Sequence, residues 1–137
     1  MFSFLSNKNK SRNKSTKILL VEDNPTDQRL IHKILLRHGY TIIVADNGNH
    51  GFQLAIDEQP HLVISDFHMP IMNGVDLCKA LKGHDETKTI PILMLTDSVE
   101  PSTIIDSYEV DAETFLSKPI NAKILINQID LTLKERA

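Results

Sequence analysis

The chain has 137 residues, 41% of them hydrophobic and 24% charged, which fits one globular domain with a substantial core. Its single cysteine, Cys78, excludes an intramolecular disulfide and a cysteine-based zinc site. No apolar run approaches the roughly 20 residues of a membrane-spanning helix, and the start does not read as a secretory signal, so we expect a cytoplasmic protein.

The net charge of −3 is unevenly distributed along the chain. Residues 1–17 carry five basic residues and no acid, whereas residues 18–137 carry 10 basic and 18 acidic residues. We therefore predict a basic disordered leader over residues 1–16, followed by a folded domain over residues 17–137. The leader is either a solubilising tail or a weak contact for a membrane surface or a partner. The acidic body disfavours nucleic-acid phosphates, so we expect no direct DNA binding by this chain.

Short apolar runs alternate with helical patterns from residue 17 onward. The runs, predicted to be strands, are 18–21, 41–45, 61–65, 90–95 and 114–116. Helices are predicted at about 25–38, 49–58, 75–82 and 101–109, with a fifth after Pro119. Asn24 is suited to cap the first helix, Pro25 to begin it and Gly39 to end it.

Five βα units predict an α/β fold with a five-stranded parallel sheet and five helices. The runs barely alternate between apolar and polar residues, which is typical of buried parallel strands. Right-handed crossovers place helices on both faces, which gives a doubly wound, flavodoxin-like sheet of order 2-1-3-4-5. A closed barrel of eight units would need about 250 residues.

Polar side chains follow four of the predicted strands. They are Glu22 and Asp23 after the first strand, Asp66 after the third, Thr96 and Asp97 after the fourth, and Lys118 two residues beyond the fifth. Because the carboxyl ends of parallel strands share one edge, where doubly wound sheets bind ligands, we expect these groups to meet there. Each residue alone also suits an ordinary turn or helix cap. Their joint placement indicates a site.

Three neighbouring carboxylates, those of Glu22, Asp23 and Asp66, would repel one another, and a divalent cation would relieve the repulsion. Oxygen-only ligands at an open site indicate Mg²⁺. The charges of these carboxylates, Mg²⁺ and Lys118 then sum to zero. An added phosphoryl group would be held by the metal, the lysine and the Thr96 hydroxyl, while a carboxylate acts as nucleophile.

Five segments of the chain resemble the receiver domain of two-component response regulators, of the chemotaxis-regulator type. They are Val21-Glu22-Asp23-Asn24, Ser65-Asp66-Phe67-His68-Met69-Pro70, Met72-Asn73-Gly74, Leu95-Thr96 and Phe115-Leu116-Ser117-Lys118-Pro119. The resemblance covers about residues 17–136. It implies a signalling domain whose only reactions are its own phosphorylation and dephosphorylation, rather than an enzyme.

The resemblance also implies roles for the residues around the nucleophile. Asp66 would accept the phosphoryl group from a histidine kinase or a histidine phosphotransfer protein, in a Mg²⁺-dependent reaction. Asp23 would bind Mg²⁺ directly and Glu22 through water. Asp66 and the main-chain carbonyl of His68 would complete the metal ligands.

The remaining implied roles concern the switch. Thr96 and Lys118 would contact the phosphoryl oxygens, and Phe115 would turn inward as Thr96 shifts. The surface of the predicted fourth helix, fifth strand and fifth helix would then bind a downstream protein or support a phosphorylation-linked dimer. The chain ends just after the last predicted helix, so we expect either a stand-alone receiver or a piece of a longer regulator or hybrid kinase.

Two positions depart from the family's pattern. Asp97 stands where a small residue usually follows the threonine, and it either affects loading and hydrolysis or points to solvent. Asp111 stands where the loop before the fifth strand usually has glycine. His68 either tunes hydrolysis or is an ordinary surface residue.

Other functions fit the residues less well. A haloacid-dehalogenase-like phosphatase needs an Asp-x-Asp motif after its first strand, where this chain has Glu22-Asp23-Asn24. A flavodoxin-like enzyme needs a phosphate-binding loop at the same place, and the acidic pair would repel phosphate. A degenerate receiver serving as a static scaffold would not need Asp66 and Lys118.

Overall fold

The computed structural model describes residues 13–97, 112 and 114–136. Its strands are Lys17–Val21 (β1), Thr41–Ala45 (β2), Leu62–Asp66 (β3), Ile92–Thr96 (β4) and Thr114–Ser117 (β5). Its helices are Pro25–Arg37 (α1), Gly48–Glu58 (α2), Gly74–Lys82 (α3) and Ala122–Arg136 (α4). The helix predicted at 101–109 and the loop residue Asp111 lie outside the described residues, and α4 is the helix predicted after Pro119. Among the described residues, no helix has the length and apolar character that crossing a membrane requires.

The five strands form one parallel sheet in the order β2-β1-β3-β4-β5, which confirms the predicted topology. The chain passes from β1 to the edge strand β2 and returns to β3 on the other side of β1. This reversal puts a topological switch point at the carboxyl ends of β1 and β3. Strands β3 and β4 are buried along their whole length, whereas β5, at one edge, is half-buried.

Each face of the sheet is covered by helices through its own apolar cluster. One cluster joins the sheet to α2 and α3 and contains Ala55, Leu77 and the buried Cys78. The other joins the sheet to α1 and α4, through side chains that include Ile31 and Ile129. The doubly wound arrangement predicted from the sequence is therefore confirmed.

Asparagine side chains begin the helices that follow the strands. Asn24 Oδ1 accepts hydrogen bonds from the main-chain N–H groups of Thr26 (2.9 Å) and Asp27 (3.0 Å), and Pro25 occupies the first helical position. Asn73 Oδ1 accepts from Asp76 N at 2.9 Å in α3. These caps satisfy N–H groups that have no partner within the helix. They hold the strand-to-helix loops at the carboxyl edge of the sheet.

Strands β3 and β4 begin later than the apolar runs suggest. Pro91 lacks an N–H group, so the regular ladder of β4 starts at Ile92, opposite Val63. At the other end the ladder continues through Asp66, which lies opposite Leu95. Asp66 and Thr96 are thus the last residues of their strands, held by the sheet rather than by flexible loops.

Candidate functional site

The structure brings four of the predicted site residues together at the carboxyl edge. The carboxylates of Glu22, Asp23 and Asp66 each offer an oxygen within 4.8 Å of the others. Lys118 Nζ lies 2.7 Å from Glu22 Oε1 and 3.4 Å from Asp66 Oδ2. Thr96, the last residue of β4, is also buried. Its carbonyl oxygen accepts a hydrogen bond from Lys118 N at 2.8 Å.

The two acids after β1 have different environments. Glu22 is fully buried, whereas its neighbour Asp23 is exposed. Glu22 therefore contacts Lys118 inside the protein, whereas Asp23 is accessible to a ligand that arrives from solvent.

Asp66 is held through both of its carboxylate oxygens. Oδ1 accepts a hydrogen bond from the main-chain N–H of His68 at 3.2 Å, and Oδ2 faces Lys118. The start of α3 presses on the same segment, because a Cβ atom on Gly74 would lie 2.5 Å from Asp66 O and 2.9 Å from Met94 Sδ. A glycine is required there by close packing, and the contact fixes the end of β3.

Two residues of α1 belong to the site but were not identified from the sequence. Asp27 Oδ2 accepts a hydrogen bond from Lys118 Nζ at 2.9 Å. Gln28 Nε2 donates to the carbonyl oxygen of Glu22 and to Asp46 Oδ1, both at 2.9 Å, and so ties the loop after β1 to the loop after β2. Their signal in the sequence was their place in the first turn of the helix that begins at this edge.

Asp27 changes the charge of the site. Three carboxylates contact the Lys118 ammonium group, and Asp23 brings the carboxylates of the site to four. The formal charge of the site is therefore −3, and a bound Mg²⁺ would leave −1. The neutral sum obtained from the sequence omitted Asp27. With Mg²⁺ bound, the site therefore has one more negative charge than the sum predicted from the sequence.

Burial and crowding shift the titration of the central groups. Burial, with a hydrogen bond to Asp66, raises the pKa of the Glu22 carboxyl from 4.5 to about 7, although Lys118 acts in the opposite direction. Burial alone would lower the pKa of Lys118, but hydrogen bonds to Glu22 and Asp27 raise it above its ordinary value. In the metal-free protein the cluster thus holds a proton near neutral pH. A divalent cation would replace that proton.

His68 and Asp97, which follow β3 and β4, lie near each other. His68 Nε2 lies 3.9 Å from Asp97 Oδ1, and both side chains are about half exposed or more, at 49% and 68%. The Asp97 side chain is thus mostly exposed to solvent and lies near that of His68.

Phe115 lies on β5, opposite Met94 of β4. Its side chain is half-buried and packs against the core cluster shared with α2 and α3. Its ring centroid is 6.3 Å from that of Phe67, the residue after Asp66. The aromatic residue of the predicted switch is thus in contact with the segment that carries the predicted phosphoacceptor.

Comparison with known proteins identifies the family. The family described as the response regulator receiver domain matches residues 18–130. The chain belongs to this family. The receiver domain is 31% identical over 117 residues to the protein PilH of Pseudomonas aeruginosa, a match that covers 85% of this chain and 97% of PilH.

Longer proteins contain similar domains. Histidine kinase P4 of Formosa agariphila is 38% identical over 125 residues, which are 91% of this chain but 9% of the kinase. Among solved structures, the signal receiver domain of a signal transduction histidine kinase from Syntrophus aciditrophicus superimposes with a TM-score of 0.84 at 34% identity, covering 88% of this chain and 92% of that one. The protein is accordingly a phosphoacceptor signalling domain of a two-component system.

Proposed function

We propose that this receiver domain accepts a phosphoryl group on Asp66 from a histidine kinase or a histidine phosphotransfer protein. The observation that carries the proposal is the placement of the Asp66 carboxylate between the His68 N–H and the Lys118 ammonium, within the cluster of three carboxylates. An Asp66 oxygen attacks phosphorus, the phosphorus–nitrogen bond of the donor's phosphohistidine breaks, and its electron pair stays on the imidazole nitrogen. The product is an acyl phosphate on Asp66.

The surrounding residues fit this reaction through charge and hydrogen bonding. We assign four groups to Mg²⁺: the carboxylates of Glu22, Asp23 and Asp66 and the main-chain carbonyl of His68. All four offer oxygen atoms, the ligands that Mg²⁺ prefers. When bound, Mg²⁺ supplies charge neutralisation for the phosphoryl oxygens. Lys118 and the Thr96 hydroxyl are assigned to the same oxygens as charge-assisted hydrogen-bond donors.

The assignment of Asp66 is tested by phosphorylation with acetyl phosphate and Mg²⁺. We expect mass spectrometry to locate the phosphoryl group on Asp66, and Asp66→Asn to abolish labelling because an amide is not a nucleophile. Asp57→Asn, which changes an exposed carboxylate on α2, should label like the wild type. Undiminished labelling of Asp66→Asn at another residue would contradict the proposal.

The metal assignment is tested by Asp23→Ala. Because Asp23 is exposed, we expect the fold to persist while the affinity for Mg²⁺, measured by calorimetry, falls by roughly tenfold or more. Asp57→Asn removes an exposed charge from α2, outside the cluster of Glu22, Asp23 and Asp66, and serves as the control. An unchanged affinity in Asp23→Ala would exclude Asp23 as a ligand.

For the output, we propose that phosphorylation draws Thr96 toward Asp66 and that Phe115 turns inward beside it. Two packings of one aromatic side chain would make a bistable element, which ligation of the site biases. The half-buried Phe115 supports this proposal, since its ring also lines a groove with Ile120 and Ile124 at the start of α4. The surface of β5, α4 and the predicted helix at 101–109 is the proposed site for a downstream protein or for a phosphorylation-linked dimer.

The same proposal covers the finer properties of the chain. We propose that the chain is a cytoplasmic phosphoprotein whose only reactions are its own phosphorylation and dephosphorylation. We also propose that it does not bind DNA directly. The basic leader at 1–16 precedes a receiver domain at 17–137. Residues just before β1 do contact the sheet, since Thr41 Oγ1 donates to Lys14 O at 2.7 Å and Thr41 N to Thr16 O at 3.0 Å.

A further inference from the structure

Lys118 contacts three carboxylates. Its ammonium group donates hydrogen bonds to Glu22 Oε1 at 2.7 Å and to Asp27 Oδ2 at 2.9 Å, and it stands farther from Asp66 Oδ2, at 3.4 Å. An ammonium group has three protons. Two of them are therefore engaged by Glu22 and Asp27, and the contact with Asp66 is the longest of the three.

Asp27 is held firmly in the position from which it contacts the lysine. It is the third residue of α1, and its main-chain N–H is capped by Asn24 Oδ1 at 3.0 Å. The positive end of the helix dipole favours a carboxylate in this turn. Its side chain is 31% exposed, and among the described residues it is not part of the group of Glu22, Asp23 and Asp66 that could hold a metal ion.

A phosphoryl group on Asp66 would need the same ammonium group. Its oxygens and the Asp27 carboxylate would compete for the donors of Lys118, and both hydrogen bonds are of the strong, charge-assisted kind. Glu22 could turn to a cation bound by the cluster of Glu22, Asp23 and Asp66. Asp27 lies outside this cluster, so its hydrogen bond to Lys118 would remain.

We propose that Asp27 is a positioning residue that holds Lys118 toward α1 and so weakens the contact of the lysine with a phosphoryl group on Asp66. This inference rests on the proposed function of Asp66 and Lys118. Asp27 would thereby limit how strongly Lys118 stabilises the phosphorylated state. The effect acts through Lys118, not through the charge of Asp27 alone.

The test uses beryllofluoride with Mg²⁺, as an analogue of the phosphoryl group, and measures its dissociation constant by fluorine NMR. We expect Asp27→Asn to bind beryllofluoride about fivefold more tightly than the wild type, since the neutral amide is a weaker competitor for the ammonium. In a Lys118→Met background, Asp27→Asn should change the affinity little, because the residue through which it acts is gone.

The chain offers a matched control in α3. Asp76 is also the third residue of its helix, and its N–H is also capped by an asparagine, Asn73, at 2.9 Å. Asp76→Asn removes the same charge from the same helical position, away from the lysine, and should leave the affinity unchanged. Unchanged or weaker binding in Asp27→Asn overturns the inference, and so does an equal gain in the Lys118→Met background.

A second measurement keeps this inference separate from the proposed function. Lys118 is acetylated with a small reagent in the presence of EDTA, and the rate is followed by mass spectrometry. This rate depends on neither metal nor phosphoryl group. We expect Asp27→Asn to raise that rate severalfold, and Asp76→Asn to leave it unchanged. If the wild type failed to bind beryllofluoride, the proposed function would fail, whereas an unaltered Lys118 acetylation rate in Asp27→Asn would overturn the positioning role by itself.

Discussion

Replacing Lys118 with methionine is expected to lower the free energy of unfolding of the metal-free protein by about 3 kcal/mol at pH 8. Lys118 Nζ lies 2.7 Å from Oε1 of Glu22, whose side chain is fully buried. Removing one partner of a buried ion pair leaves the other charge uncompensated, which is strongly destabilising. Methionine keeps most of the apolar stem, so the missing ammonium group is the main change.

The loss is expected to shrink at pH 5.5, because Glu22 without its lysine takes up a proton and becomes neutral. Urea unfolding in EDTA at the two pH values measures both effects. Lys88→Met is the control, since Lys88 is 55% exposed and its ion pair with Asp85, at 3.3 Å, should contribute less than about 1 kcal/mol. Equal stability of the two variants at pH 8 would show that Lys118 is not needed to compensate Glu22.

The fold could be predicted from the sequence because each strand is a short apolar run between helical patterns. Asn24, Pro25 and Gly39 marked the ends of α1, and the structure confirms all three: Asn24 caps the helix, Pro25 is its first residue, and Gly39 follows it with φ of 86°. The ends of β3 and β4 were less accurate. Strand ends depend on pairing with neighbours, and a proline such as Pro91 shifts the start of the ladder.

The grouping of Glu22, Asp23, Asp66 and Lys118 was also predictable, because parallel strands deliver the residues that follow them to one edge. Asp27 was not. Its reach to Lys118 depends on how α1 is rotated against the sheet, which tertiary packing decides. The burial of Glu22, which is the largest cause of its raised pKa, was not predicted either.

The buried Glu22 also makes the stability of the metal-free protein depend on pH. The pKa of Glu22 is raised from 4.5 to about 7 by burial and by its hydrogen bond with Asp66. Between these two values the folded protein binds a proton that the unfolded chain has released. Stability should therefore be greatest, as far as this group is concerned, below about pH 4.5, and should fall as the pH rises through 7, by about 3 kcal/mol in all.

Other groups titrate in the same range and have to be subtracted. The chain has six histidines. The informative quantity is the difference in unfolding free energy between the wild type and Glu22→Gln. Glutamine imitates the protonated carboxyl and does not titrate.

Mg²⁺ should reverse the dependence, because a cation held by the carboxylates favours the ionised form of Glu22. We expect the affinity for Mg²⁺, measured by calorimetry, to rise with pH between about 5.5 and 8, as binding no longer has to displace the proton. In Glu22→Gln that rise should be much smaller, while Asp57→Asn, changed at an exposed residue of α2, should behave as the wild type. If the wild type and Glu22→Gln showed the same pH dependence of both stability and Mg²⁺ affinity, the proton held by the cluster would not reside on Glu22.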